Sequence, residues 1–221
     1  MDLSGPFLIP PWLDYSATFV WALSGALIAA RRRYDIAGII FVALVSAAGG
    51  GVIRDGIFLQ TKPPVFLQTW VYMALVLLAA TMTDLAGSRI QRIRHFESII
   101  LIIDALGLGA FAVVGVQISL QAGLTVPAAA FVGVVNAVGG GVLRDLLVGR
   151  DPMIFLPGPP VALAALASCV IYLVLIRFTN LSEHVAGIIA VAGEFVFRTV
   201  SLRYGWSTRA PGGFDSDTNS G

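Results

Sequence analysis

Ala47-Ala48-Gly49-Gly50-Gly51-Val52-Ile53-Arg54-Asp55 returns as Ala137-Val138-Gly139-Gly140-Gly141-Val142-Leu143-Arg144-Asp145, at an offset of 90 residues. Without a gap, the same offset pairs Asp14 with Asp104, Ala22 with Ala112, Gly25 with Gly115, Phe41 with Phe131 and Val45 with Val135. Chance supplies one such match, not a series in register, so the chain is read as an internal duplication.

The apolar runs around these motifs set the fold class. Of 221 residues, 57% are hydrophobic and 12% charged, and the mean hydropathy is +0.86. Soluble domains carry about a quarter charged residues, so a water-soluble enzyme and a disordered chain are both excluded. A net charge of +1 gives no basic footprint for nucleic acid. Seven runs approach the length that a bilayer core demands: Asp14 to Ala30, Ile36 to Leu59, Val65 to Leu85, Ser98 to Leu120, Val126 to Val148, Pro160 to Ile176 and Val185 to Leu202. None alternates with period two, as a membrane β-barrel would. The expected architecture is an all-α integral membrane protein with seven transmembrane helices.

The segments expected are an external one (1–13), a first three-helix repeat (14–87), a cytoplasmic linker (88–97), a second repeat (98–177), a seventh helix (182–206) and a disordered polar tail (207–221). An odd number of spans per copy, joined by one linker, forces the second copy to enter the membrane upside down. The start, broken by Pro6, Pro10 and Pro11 and lacking a cationic stretch, is not read as a cleavable signal peptide. The positive-inside rule orients the chain. With the N-terminus outside, Arg31–Arg33, Arg89, Arg92, Arg94, Arg150, Arg203 and Arg209 are cytoplasmic, leaving only Lys62 and Arg177 in external loops.

Three consecutive glycines each cost up to about 1 kcal/mol of helix propensity relative to Ala. They predict a kinked or unwound turn, tolerated at bilayer depth only where protein or a water-filled cavity satisfies the backbone. Gly50 lies roughly 21 Å along its span from Ile36, so with inversion the two breaks would flank the midplane. The alternative is close helix packing; the duplication of the triplet, with Arg and Asp one turn later, favours the break. Arg54, Asp55, Arg144 and Asp145 are expensive in a membrane unless partnered or facing water. Neighbouring Arg and Asp on one helix are expected to face each other poorly, which leaves Asp14 and Asp104 as cross-helix partners. A structural clamp is the expectation, and an arginine facing water, as a barrier or anion contact, is the alternative. Glu194 and Arg198, spaced i, i+4, read as a structural pair. The small-residue faces Ala22/Ala26/Ala30 and Ala186/Ala190 suit close helix contacts that could serve assembly.

The doubled Gly-Gly-Gly-x-x-Arg-Asp, the repeat-plus-one-helix plan and the ending Arg203-Tyr204-Gly205-Trp206 resemble the trimeric intracellular cation channels, in their prokaryotic branch. The resemblance covers about Asp14 to Trp206. It implies a homotrimer with a monovalent-cation pore in each protomer, conducting potassium and also sodium. The second and fifth helices, bent at Gly49–Gly51 and Gly139–Gly141, would line that pore. The prokaryotic inner membrane is the implied location, with membrane lipid and the permeant ions as partners. Animal members bind phosphoinositides, which is not carried over because a long basic tail is lacking. Exposed carbonyls at unwound glycines could replace ion hydration, and without an evident carboxylate ring modest selectivity is expected. No cofactor and no tightly bound metal are expected, with bound lipid the one candidate companion.

Sequences of this type are also labelled glycine transporters, and inverted repeats suit a secondary carrier of a small amino acid equally well. An enzyme is not expected. His95 and His184 read as interfacial and Cys169 as a small core residue, and no nucleotide-binding glycine pattern is present. The orientation predicts that, in intact cells, an impermeant thiol reagent labels Ser4→Cys and spares Ser216→Cys; the reverse pattern overturns it.

Overall fold

In the computed structural model, residues 11–60, 63–86, 89, 92 and 94–208 are described. Most of the expected external segment, part of the linker and the tail from 209 lie outside these residues. Seven α-helices follow one another: α1 (Pro11–Arg31), α2 (Ile36–Ile53), α3 (Trp70–Ala86), α4 (Phe96–Gln121), α5 (Val126–Leu147), α6 (Val161–Phe178) and α7 (Glu183–Arg203). Helix α2 continues into a π-helical turn, Arg54–Leu59, and Val65–Leu67 forms a short 3-10 turn.

Among the described residues, five helical segments are long and apolar enough to cross a membrane: Ile36–Leu59, Ser98–Gln121, Val126–Leu147, Val161–Phe178 and Glu183–Arg203. Helix α3 is apolar over 17 residues, and α1, 21 residues long, carries Asp14, Thr18 and Ser24. Together they form an all-α integral membrane protein: two inverted three-helix repeats plus one further helix.

Local chemistry sets the helix ends. The Asp35 carboxylate accepts from the Gly38 amide at 2.8 Å and caps α2, and Ser182 caps α7 through the Val185 amide. Helix α3 begins at Trp70, five residues after the expected start at Val65. Pro63 and Pro64 lead into the 3-10 turn, whose Leu67 amide donates to the Pro64 carbonyl, and Gln68 donates to the Pro63 carbonyl at 2.7 Å. These bonds hold that stretch as a loop. Helix α4 begins at Phe96, two residues before the expected start, with the Arg31 guanidinium over the Phe96 ring at 4.5 Å.

The packing repeats the sequence duplication. Helix α1 packs on α2 and α3 as α4 packs on α5 and α6, while α2 crosses α5 and α1 crosses α4 on the axis between the halves. Helix α7 lies against α4 and α6. Ala22, Ala26, Ala186 and Ala190 are completely buried inside the protomer, so these small-residue faces serve internal packing rather than contacts between protomers.

Both glycine triplets are helical throughout, which corrects the expected unwound turn. A Cβ on Gly50 would lie 2.0 Å from the Asn136 carbonyl oxygen, and one on Gly140 would lie 2.2 Å from the Ser46 carbonyl oxygen. Ser46 and Asn136 are themselves repeat mates, so these are two views of one pseudo-twofold contact. Gly49 and Gly139 face the partner glycines: a Cβ on Gly49 would lie 3.2 Å from Gly140 Cα, and one on Gly139 would lie 3.1 Å from Gly50 Cα. The propensity cost is met by close backbone approach of α2 and α5, and the helical hydrogen bonds are kept. The departure from α geometry falls one turn later, at Arg54–Leu59.

Gly51 and Gly141 differ from their neighbours. The nearest atom to a Cβ on either is 3.8 Å away, the Nη2 of Arg54 or Arg144. Gly50→Ala and Gly140→Ala are therefore expected to destabilise the protein by about 1–3 kcal/mol through overpacking. Gly51→Ala and Gly141→Ala should melt near the wild type. Thermal unfolding in detergent checks the contrast.

Candidate pore and its paired arginines

The arginine one turn past each triplet is buried, Arg54 and Arg144 each 3% exposed. A buried guanidinium needs several acceptors, because its five donors lose water at several kcal/mol without them. Arg144 Nη1 lies 2.9 Å from both carboxylate oxygens of Asp104 and 2.7 Å from Ser24 Oγ. Its Nε lies 2.9 Å from Asp145 Oδ1, and Ser24 donates to Asp104 at 2.8 Å. The expected cross-helix clamp thus exists in the second repeat.

The first repeat is arranged differently. Arg54 meets Asp55 through Nε at 2.6 Å and Nη2 at 2.8 Å, and Nη1 reaches Asn136 Oδ1 at 3.3 Å. Asn136 in turn donates to the Phe111 carbonyl at 2.6 Å. Asp14 accepts a hydrogen bond from the Tyr72 hydroxyl instead of pairing with Arg54. Two expectations are therefore corrected. Adjacent Arg and Asp do pair, because the long guanidinium stem folds back onto the next carboxylate. The Asp14–Arg54 clamp is absent, because Tyr72 holds the aspartate.

Two cavities accompany the two arginines. The larger, about 390 Å³, is lined by Asp14, Thr18, Ala47, Ala48, Gly51, Arg54, Tyr72, Phe111 and Gln117, among others. The smaller, about 50 Å³, is lined by Asp104, Leu108, Ala137, Val138, Gly141, Arg144, Asp145, Trp21 and Arg198, among others. The 90-residue offset turns Asp14, Thr18, Ala47, Ala48, Gly51 and Arg54 into Asp104, Leu108, Ala137, Val138, Gly141 and Arg144. The cavities are repeat mates on opposite sides of the α2–α5 crossing. Trp21 and Phe111, also 90 apart, touch between them with ring centroids 4.8 Å apart.

Gly51 and Gly141 line the cavities, whereas Gly49, Gly50, Gly139 and Gly140 make the crossing. Since the backbone stays helical, polar groups reach the cavities from side chains, not from freed carbonyls. Glu194 and Arg198 are buried, 0% and 1% exposed. No hydrogen bond joins Glu194 to Nε or Nη1 of Arg198, so the expected direct pair is not made. Sequence reading passed over Tyr72, Ser24, Asn136 and the Trp21–Phe111 contact. The ninety-residue offset carries the signal for the last, aligning two aromatics.

Inverted three-helix repeats that bring a buried arginine and aspartates to each end of one crossing define a membrane protein of the solute-moving class. The chain belongs to the family described as Glycine transporter, whose profile matches residues 11–86 and 101–177, one stretch per repeat with α7 outside. A Deinococcus radiodurans UPF0126 membrane protein is 38% identical over 141 residues, 64% of each chain; the match thus spans under two thirds of that relative. The Escherichia coli K12 inner membrane protein YadS is 37% identical over 145 residues, 65% of this chain and 68% of its own. Among solved structures, a TRIC cation channel studied for conductance superposes with TM-score 0.81 at 26% identity, covering 92% of this chain and 98% of that one. The trimeric intracellular cation channel orthologue from Rhodobacter sphaeroides gives 0.80 at 31%, covering 88% and 97%. The family resemblance read from the doubled motif holds.

Asp104→Asn weakens a charge-assisted contact to the buried Arg144 guanidinium, whereas an aspartate bonded only to a hydroxyl has less to lose. Asp104→Asn is therefore expected to lower the melting temperature clearly more than Asp14→Asn, as differential scanning fluorimetry can measure.

Proposed function

We propose that the protein is a monovalent-cation channel, conducting potassium and also sodium, with one pore in each protomer of a homotrimer. The observation that carries this reading is the pair of repeat-related cavities, each lined by a buried arginine and a carboxylate, flanking the α2–α5 crossing. A path would run from the Asp14 cavity, past Trp21 and Phe111, to the Asp104 cavity. The narrowest point is then aromatic and apolar, where constrictions gate by excluding water. Gly51 and Gly141 widen the path beside the arginines, and Asp14, Asp55, Asp104 and Asp145 offset the arginine charge for a passing cation. The structural likeness to channels named for cations supports this reading.

The same reading sets the protein in a prokaryotic inner membrane with its N-terminus outside, its C-terminus cytoplasmic, and lipid around it. Relatives named as inner membrane proteins support the location, and the arginine distribution supports the orientation. A carrier of a small amino acid such as glycine is the second reading, favoured by the unequal cavities and the family's description.

In liposomes with an outward potassium gradient, the purified protein is expected to dissipate the gradient and to show unitary currents in planar bilayers. Phe111→Ala should raise the potassium flux, and multi-angle light scattering should give a trimer mass. Glycine exchange without current would replace the channel with the carrier.

A further inference from the structure

The larger cavity lies at the end of the bundle where α1 and α3 begin and α4 ends, and Asp14, Tyr15, Phe66 and Tyr72 line it. The Tyr15 and Tyr72 rings meet edge to face, with centroids 5.5 Å apart and planes at 75°, so they form a corner. The Tyr72 hydroxyl donates to Asp14, which fixes a carboxylate beside that corner. Phe66 reaches the same cavity from the 3-10 turn before α3. We propose that this cavity binds a small trimethylammonium-type cation, choline-like in its head group, held by Asp14 and by a cage of Tyr15, Phe66 and Tyr72. The site stands independently of the ion path proposed above, although it lies at one end of it.

Charge decides the sign of the ligand. Arg54 lines the cavity too, but its Nε and Nη2 are spent on Asp55 at 2.6 and 2.8 Å, so those two charges offset each other. Among the described residues Asp14 makes no ion pair. It is left as the carboxylate that a visiting cation neutralises. The walls then decide which cation. A bare metal ion needs several converging oxygens to replace its water, whereas here Thr18, Gln117 and Gln121 add separate polar atoms to a mainly apolar and aromatic lining. A quaternary ammonium carries its charge behind methyl groups and is attracted to aromatic faces. The volume, about 390 Å³, falls within the roughly 300–1,000 Å³ of small-molecule pockets.

The duplication shows that these rings belong to one half alone. At the 90-residue offset Tyr15, Phe66 and Tyr72 become Ala105, Leu156 and Ala162, while the helices around them repeat. Packing needs common to both halves therefore do not account for the three aromatics. Asp14 does have a counterpart, Asp104, but that carboxylate is engaged by Arg144 at 2.9 Å. An aromatic belt at the membrane surface is the other common reason for tyrosines near a span's end. Belt residues face lipid, whereas Tyr15 and Tyr72 are half-buried and line a cavity together with Asp14.

Equilibrium binding of radiolabelled choline to the purified full-length protein, read by scintillation proximity, tests the site. Saturable binding is expected, displaced by tetramethylammonium but not by the uncharged analogue of choline in which carbon replaces the quaternary nitrogen. Asp14→Asn, which keeps the shape and an acceptor for Tyr72, should weaken binding by about tenfold. Tyr15→Leu and Phe66→Leu should each weaken it by about fivefold, the loss of one cation–π contact, while Tyr15→Phe keeps the ring and stays within about twofold. Phe66 lies outside the seven helices, so Phe66→Leu removes a ring without altering a helix. No saturable binding, equal displacement by the uncharged analogue, or undiminished binding by Asp14→Asn overturns the proposal. Glycine displacing choline as well as tetramethylammonium does also overturns it, by assigning the cavity to a zwitterion. Potassium flux in liposomes is read separately: choline binding by a protein that conducts no potassium keeps the site and sinks the channel, and flux without choline binding does the reverse.

Discussion

The structure depends on how closely α2 and α5 approach. At their crossing each backbone lies where the other's side chain would be, with Gly50 against the Asn136 carbonyl and Gly140 against the Ser46 carbonyl. No other residue type leaves that space, since even a methyl group would overlap a carbonyl oxygen. In lipid, where apolar contact with a neighbouring helix offers little over contact with acyl chains, such proximity is the main source of helix association. The crossing also fixes where the arginines lie. One turn beyond the glycines, Arg54 and Arg144 are carried to opposite sides of the contact, each into its own cavity.

A guanidinium buried at that depth dictates much of what surrounds it. Asp55 and Asp145 each directly follow their arginine in sequence, so each arginine carries a neutralising partner beside it whatever the neighbours do. The cross-helix partners can then differ: Asp104 and Ser24 for Arg144, Asn136 for Arg54. A local pair that persists lowers the cost of changing the distant one, since the charge is never left alone.

The fold was legible in the sequence because membrane spans are long and the repeat is gapless. Gly49–Gly51 were harder to read. Propensity alone argues for unwinding, and only the partner helix shows that the glycines are spent on proximity. The Asp104–Arg144 clamp followed from the cost of buried charge, but its failure in the first half did not. Tyr72 lies 58 residues from Asp14, and no local spacing announces that a tyrosine hydroxyl will outcompete a guanidinium. The isolated donors of Arg198 were hidden for a related reason: i, i+4 spacing brings two side chains to one face without making them touch.

The crossing has a consequence for how the two halves relate as surfaces. Ser46 and Gly50 meet Asn136 and Gly140, their own counterparts, so the contact is isologous in the manner of a twofold dimer, although it lies within one chain. Each three-helix half carries a patch complementary to itself, provided that its partner enters the bilayer from the other side. The linker between α3 and α4 then supplies orientation and stoichiometry. A half freed from it and inserted in both directions would hold, on its own face, the glycines needed to rebuild the crossing. It would lack α7, and with it Glu194 and Arg198, the buried charges that make one end of the present molecule unlike the other.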